Sequence, residues 1–447
     1  VTEEHHRKEE KFMSAADRER VAVIDACRTP FMRAGTAYYD LMAWKLGSYA
    51  VKGLIARTGI DPALVDYGIM GTVMADVATT NVAREIMLGA GLPGSIPAHT
   101  CTAACVSANI AITTAYDMIC NGQASAVIAG GTEFMSDPAI KIGKRYRRFI
   151  LDYTMFKRPK TLAGKLKLLK GMKLKDFFAV EQPAIGEYST GLIMGENADR
   201  LARRLGITRQ EQDEFAARSH RLAVAATRNG KMKKEIVPVV VPGTGKAITE
   251  DNGPRADATL ERMAKIQPAF ERKYGTVTAG NSSFLTDGAS AVLLMSEEKA
   301  RNVGLKPLAY IRSYAQAGSD PWEELLLGPA FATARALQKA NLKFSDIKVF
   351  EIHEAFAAQI LANIRYMESE KWGRERLGLD GKMGAVDMER INTRGGSLSL
   401  GHPFGATGGR LIASCCNRLR EENARYGLVA GCGAGAVGNA IILENAQ

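Results

Sequence analysis

The hydrophobic positions along the chain fall into two alternating rhythms. Short apolar runs such as VAVIDA (21–26), YGIMG (67–71) and AVIAGG (126–131) read as buried strands. Between them apolar residues recur every three to four positions, from Asp40 to Arg57 and again from Val106 to Cys120, and read as helices. Asn121-Gly122 supplies a stop for the second helix. The same order then returns. LAYIRSY opens it, PAFATARALQKANL leads into FSDIKVFEIHE, and PFGATGGRLIASCCNRLREENARYGLVAGCG follows CVSANIAITTAYDMICNGQASAVIAGG element for element, at an offset of about 280 to 300 residues. Strands alternating with helices imply parallel sheet layers, and two copies imply two similar α/β halves packed together.

The pattern predicts a first half over 21–135 and 257–298, a second over 299–447, and an inserted loop domain over 136–256. Residues 1–20 are too charged for a secretory signal and read as a disordered arm. No apolar run reaches the roughly 18 residues of a membrane span. At 46% hydrophobic and 24% charged, the composition is that of a globular protein with a large core. Charge changes the picture at one place. The net +11 resides in the segment 141–175, where thirteen Lys and Arg meet the single acid Asp152. Nucleic acid is a poor fit for it, because the aromatic residues cluster before most of the lysines. A solvated loop and an anionic membrane surface both fit. Leu162, Leu166 and Leu169 fall on one helical face among the lysines, although Lys173 shares that face.

Seven cysteines in 447 residues, with no C-x-x-C pair, argue against a disulfide framework or structural zinc. Two of them occupy places where chemistry is possible. Cys105 opens the helix-like run from Val106, where a helix terminus lowers a thiol's pKa. Cys432 opens GAGAVG (433–438), which matches G-x-G-x-x-G. A dinucleotide loop needs a helix after the glycines, and here a second apolar run follows, so the stretch reads as a hairpin. His353 ends the strand IKVFEI, and His402 sits in the Gly-rich loop GGSLSLGHPFGATGG. Each signal is weak alone, and the duplication offers a shared cleft that brings them together.

Five motifs then carry a resemblance: HTCTAACVSAN, YGTVTAGNSSFLTDGAS, EIHEAFAAQILAN, NTRGGSLSLGHPFGATG and GLVAGCGAGAVG. From about Val21 to Asn445 the chain resembles a thiolase. Most thiolases have Asn where His353 stands. The His-Glu-Ala-Phe version, with LLLGP and FMSDPAIK, resembles the branch that forms the β-subunit of the mitochondrial trifunctional fatty-acid oxidation enzyme. The resemblance implies a layered α/β/α/β/α sandwich and degradative cleavage of 3-ketoacyl-CoA by CoA, without metal or redox cofactor. It implies Cys105 as the acylated nucleophile, His402 as its base and Cys432 as the second acid/base. His353 and His402 would form one oxyanion hole, and the backbone N–H groups of Cys105 and Ala434 the other. Ser283 would contact the pantetheine arm. The family usually has glycine where Ala434 stands, so the geometry of that turn is open. The resemblance further implies a homo-oligomer, an α-type hydratase/dehydrogenase partner, and a mitochondrial matrix location with inner-membrane docking through 141–175. The C-terminal Asn445-Ala-Gln is not a peroxisomal address. Other readings are a condensing, acetoacetyl-CoA-forming thiolase, a one-cysteine decarboxylating or condensing relative, and a catalytically idle scaffold.

Overall fold

A computed structural model describes residues 19–181 and 186–447. The arm expected over 1–20 lies, up to residue 18, outside the described residues. The first half contains β1 (Val21–Arg28), α1 (Ala43–Thr58), β2 (Tyr67–Gly71), α2 (Val82–Ala90), β3 (Ala98–Cys101), α3 (Ser107–Cys120) and β4 (Ala126–Glu133). A long excursion follows, with helices α4 (Lys144–Ile150), α5 (Leu162–Leu168), α6 (Leu174–Phe178), α7 (Met194–Leu205) and α8 (Arg209–Arg228). The chain then returns as β5 (Thr286–Ser296). The second half runs β6 (Ala309–Gly318), α9 (Gly328–Ala340), β7 (Ile347–Ile352), α10 (Ala357–Glu368), α11 (Thr407–Glu421), β8 (Tyr426–Gly433) and β9 (Val437–Asn445). None of the described helices is long and apolar enough to cross a membrane.

Sheet order shows the duplication directly. The main strands lie in the order β7-β8-β9-β6-β1-β5-β4-β2-β3. In each half a parallel pair, β2–β4 or β7–β8, is followed by an antiparallel return, β5 or β9, and then by the opening strand. The halves meet where β1 pairs antiparallel with β6 at Ala22–Tyr310 and Val23–Ala309. The layers follow from the packing. Helices α1 and α2 cover the outer face of the first half, and α9 and α10 cover that of the second. Helices α3 and α11 lie between, sharing a core with Val23, Ile69 and Val127 of one half and Val349, Val429 and Ile441 of the other. Strands covered on both faces need apolar residues at successive positions, which is why β1, β4, β5 and β8 are buried along their whole length. Helix α3 stops at the expected place: Asn121 caps it and Gly122 takes a positive φ of 67°.

Tight backbone contacts bring the site loops together. A Cβ on Gly131, in β4, would collide with the carbonyl oxygen of Gly405, in the loop that carries His402. Only glycine lets that strand and that loop approach so closely. The run expected to be a hairpin is one: β8 and β9 pair antiparallel out to Gly433–Val437, across a turn of Ala434, Gly435 and Ala436.

Candidate active site

Three sequence-flagged side chains, Cys105, His402 and Cys432, line one apolar cavity of about 510 Å³, with Ala434, Met74, Phe356 and Phe404 among others. His353 belongs to the same cluster. The sulfur of Cys105 and one ring nitrogen from each of His353 and His402 lie within 4.8 Å of one another. The two imidazole rings are 4.1 Å apart, centroid to centroid. Ser283 also lines the cavity, its backbone N–H held by the carbonyl of Ala355 at 2.9 Å.

Each group arrives from a different element. Cys105 sits two residues before α3, after Ala104, whose φ of 49° is unusual for a residue with a side chain. This sharp turn presents the sulfur to the backbone N–H groups of Cys105 itself and of Ala434. Ala434 is not among the positive-φ residues of its turn, which are Gly435 and Ala436, so its Cβ meets no backbone obstacle there. His353 follows β7 directly, its own N–H bound to the carbonyl of Ala430 at 2.8 Å. His402 is pinned by its neighbours in the GHPFGAT turn: its Nδ1 lies 2.7 Å from Thr407 Oγ1, and its ring packs 4.8 Å from that of Phe404.

The electrostatics correct one expectation. A helix terminus was expected to lower the Cys105 pKa. Instead burial, reinforced by the Glu133 carboxylate, pushes this thiol up to about 12. The sulfur precedes the first helical turn, so the dipole acts weakly on it, and desolvation wins. Burial also raises the Cys432 thiol, with Cys105 adding to it. Burial lowers His353 to about 3, helped by the positive charge of Arg410, and holds His402 well below its usual range, helped by His353 and Arg410. The resting site therefore holds two thiols and two neutral imidazoles rather than a thiolate–imidazolium pair. A thiol and two imidazoles are also zinc-type donors, and a metal held there would displace the thiol proton.

Hydrogen bonding assigns the His402 proton. Thr407 Oγ1 lies 3.1 Å from the carbonyl of Pro403, an acceptor only, so the hydroxyl donates there. With the hydroxyl turned to that carbonyl, Thr407 Oγ1 accepts from His402 Nδ1–H, and this is the tautomer we assign. That leaves His402 Nε2 with a free lone pair, buried and without a partner among the described residues, which is the form a base requires.

Three groups escaped the sequence reading. Thr407 was visible only as part of a glycine-rich motif. Glu133 closes β4 after Gly130-Gly131 and accepts from the N–H groups of Val73, Met74 and Gly405 at 3.1, 2.8 and 2.8 Å, tying both cavity loops to the strand. Burial raises this carboxyl to about 7. Glu187, from the inserted region, accepts from Gly435 N at 2.6 Å and fixes the turn after Cys432.

A cavity-facing thiol beside a histidine base, with N–H donors aimed at the same point, is the equipment of an acyltransferase that works through cysteine. Residues 21–298 match the family model "Thiolase, N-terminal domain" and residues 305–445 match "Thiolase, C-terminal domain". The chain belongs to the thiolase family. It is 49% identical over 437 residues to the mitochondrial trifunctional enzyme subunit beta of Bos taurus, covering 98% of this chain and 90% of that protein. It is 46% identical to a probable 3-ketoacyl-CoA thiolase of Caenorhabditis elegans, covering 95% and 94%. Among solved structures, human mitochondrial 3-ketoacyl-CoA thiolase superposes with a TM-score of 0.82 at 30% identity, covering 96% of this chain and 99% of that one.

Proposed function

We propose that this chain is a degradative 3-ketoacyl-CoA thiolase that closes a turn of fatty-acid β-oxidation. The observation that carries the reading is the meeting of Cys105, His402 and Cys432 at one apolar cavity, with His353 clustered beside them. His402 Nε2 takes the Cys105 proton as the sulfur attacks the 3-keto carbon. The C2–C3 bond then breaks, and acetyl-CoA leaves as its enolate. His353 and the newly protonated His402 donate to the thioester oxygen that carries this charge, and Cys432 protonates the carbon. In the second half Cys432 takes the proton of an incoming CoA thiol, whose sulfur attacks acyl-Cys105; the acyl–Cys105 bond breaks, His402 returns its proton to the leaving sulfur, and the shortened acyl-CoA is released. The N–H groups of Cys105 and Ala434 hold the oxyanion formed at the acyl carbon. Each good donor lowers such a barrier by roughly 3–4 kcal/mol. Ser283 lies on the cavity wall at a place suited to the pantetheine arm. No step calls on a metal or redox group.

The test is direct. Substrate without free CoA is expected to leave the protein heavier by one acyl group on Cys105, and free CoA to discharge it. Cys105→Ala is expected to abolish both the mass shift and thiolysis. Turnover with carrier-protein substrates alone would instead favour the decarboxylating or condensing reading, and no acylation at all would favour the scaffold.

A second reading concerns the basic segment. Met155, Phe156, Leu162, Leu166, Leu174 and Phe178 are all exposed there, side by side with lysines. Exposed apolar side chains among cations suit an anionic membrane. Relatives named as the beta subunit of a mitochondrial trifunctional enzyme support a mitochondrial setting and a partner subunit. Removing 141–175 is expected to abolish binding to cardiolipin vesicles at low salt while sparing thiolysis of short substrates. Unchanged vesicle binding would overturn this reading.

A further inference from the structure

His353 reaches the cavity through a chain of contacts that the reaction scheme does not use. Its Nδ1 lies 3.0 Å from Ser397 Oγ. Ser397 Oγ in turn accepts from Arg410 Nη2 at 3.1 Å. Arg410 is anchored on α11 and faces Glu351, with Nη1 3.6 Å from the carboxylate, and Glu351 is held again by Arg418 at 2.9 Å. Glu351, Ser397 and Arg410 are all fully buried. Glu351 and His353 stand two residues apart along one strand direction, so both point toward α11. Arg410 fits between them.

One proton arrangement pairs the hydroxyl of Ser397 as well as its oxygen. A guanidinium only donates, so Ser397 Oγ is its acceptor. The serine hydroxyl proton then has a single acceptor among the described contacts, His353 Nδ1. The His353 proton therefore sits on Nε2, the buried nitrogen left without a protein partner. His402 is the reverse: Thr407 makes its Nδ1 the donor and leaves Nε2 bare. Two hydroxyls thus hold two neighbouring rings in opposite tautomers.

We propose that Ser397, backed by Arg410 and Glu351, is a positioning residue that fixes His353 as an Nε2–H donor, so that the paired histidines divide into one donor and one base before substrate arrives. This rests on the thiolase reading and adds a role for residues outside the reacting set. The division matters because like tautomers would each lose a group that the scheme uses. Two bare Nε2 atoms would leave the newly protonated His402 as the single imidazole donor to the thioester oxygen, and two Nε2–H groups would leave Cys105 without a base. The Arg410 charge also disfavours an imidazolium at His353, so that this ring stays a neutral donor throughout.

Two measurements test it. The first needs no activity. Solid-state NMR of ¹⁵N-histidine protein, with His353 assigned by its disappearance in His353→Ala, is expected to show His353 protonated on Nε2 and bare on Nδ1, and His402 the reverse. A proton on Nδ1 of His353 would overturn the proposal, whatever reaction the protein catalyses. The second is kinetic. Ser397→Ala is expected to lower kcat by about ten- to a hundredfold, the cost of a misplaced donor, while KM for CoA stays within about twofold. In a His353→Ala background the same change is expected to cost almost nothing further, because the residues act as one unit. Losses that multiply in the double variant would make Ser397 merely structural and overturn the proposal. If Ser397→Ala does not fold, the NMR result on the unaltered protein decides.

Discussion

Thr407→Val isolates the proton bookkeeping of the base. Valine keeps the shape of threonine and removes only the oxygen that accepts from His402 Nδ1–H at 2.7 Å. The ring then has two choices. It can keep its proton on Nδ1, buried and unpaired, at a cost of about 1–3 kcal/mol. Or it can move the proton to Nε2, which is buried and without a partner among the described residues as well, and lose the lone pair that the proposed scheme uses to receive the Cys105 proton. With both nitrogens unpaired the tautomers come near balance, so the base-competent fraction falls about twofold, and the ring freed from Thr407 loses its aim at a further cost of up to about a hundredfold in rate. The combined loss should appear in kcat/KM for the 3-ketoacyl-CoA and in the rate of acyl-enzyme formation, measured by quenched-flow mass spectrometry. Thr407→Ser keeps the hydroxyl and should stay within about threefold of the unaltered protein. The Pro403 carbonyl keeps the N–H groups of Ala406 and Thr407, so little change in melting temperature is expected from that contact. A folded Thr407→Val variant that acylates at the unaltered rate would refute the assignment of His402 as a base oriented through Thr407.

Two further outcomes follow from the packing and the thiol environment. Gly131→Ala is expected to lower both stability and turnover, because its Cβ meets the Gly405 carbonyl and must push the His402 loop outward. Overpacking of this kind costs about 1–3 kcal/mol, and an ångström of displacement at the base costs about a hundredfold in rate. A thermal melt and the thiolysis assay read both effects, and unchanged values for both would show that the loop yields freely. Alkylation of Cys105 by iodoacetamide is expected to be slow at neutral pH and to rise tenfold per pH unit without levelling below about 9, since the thiol is held near 12 and only the thiolate reacts. A plateau between pH 6 and 7 would mean a thiolate–imidazolium pair and would contradict the two neutral imidazoles.

The elements were legible because their signals are local. The buried runs at Val21, Tyr67 and Ala126, the Asn121-Gly122 stop and the short turn after Gly433 each follow from a few neighbouring residues, and the duplication repeats them. Cys105, His353, His402 and Cys432 were legible because unusual residue types sit at helix starts, strand ends and tight turns. What surrounds them was not. Glu133 reaches Gly405 across 272 positions, and Ser219 reaches Glu354 across 135. No local pattern encodes such pairs. The Cys105 shift was misjudged for the same reason: burial is a property of the assembled halves, and it outweighs the helix end that the sequence shows. The charge of 141–175 was also only partly legible. Arg145 and Arg147 pair with Asp176 and Glu181, acids just beyond that window, so the net cation content of the folded excursion is lower than the segment alone suggests.

The duplicated frame explains why the molecule has one site rather than two. Helices α3 and α11 are counterparts, and their starts converge at the cavity, one bringing Cys105 and the other His402 with Thr407. The ends of β2 and β7 are counterparts too, yet one is followed by Thr72 and the other by His353. The strands β4 and β8 end in Glu133 and in Cys432-Gly433. Each pair has diverged, so that one copy carries chemistry and the other support. The connections after β4 and β8 show the same division. One is the turn that aims Ala434 N–H at the Cys105 sulfur, and the other is the long excursion whose Glu187 returns to hold Gly435. In the proposed scheme the second half thus supplies base and second thiol, while the first supplies the nucleophile and the insertion that braces them. A symmetric duplicate would have offered each nucleophile a counterpart of itself, and a thiol facing a thiol has no neutral base to give its proton to.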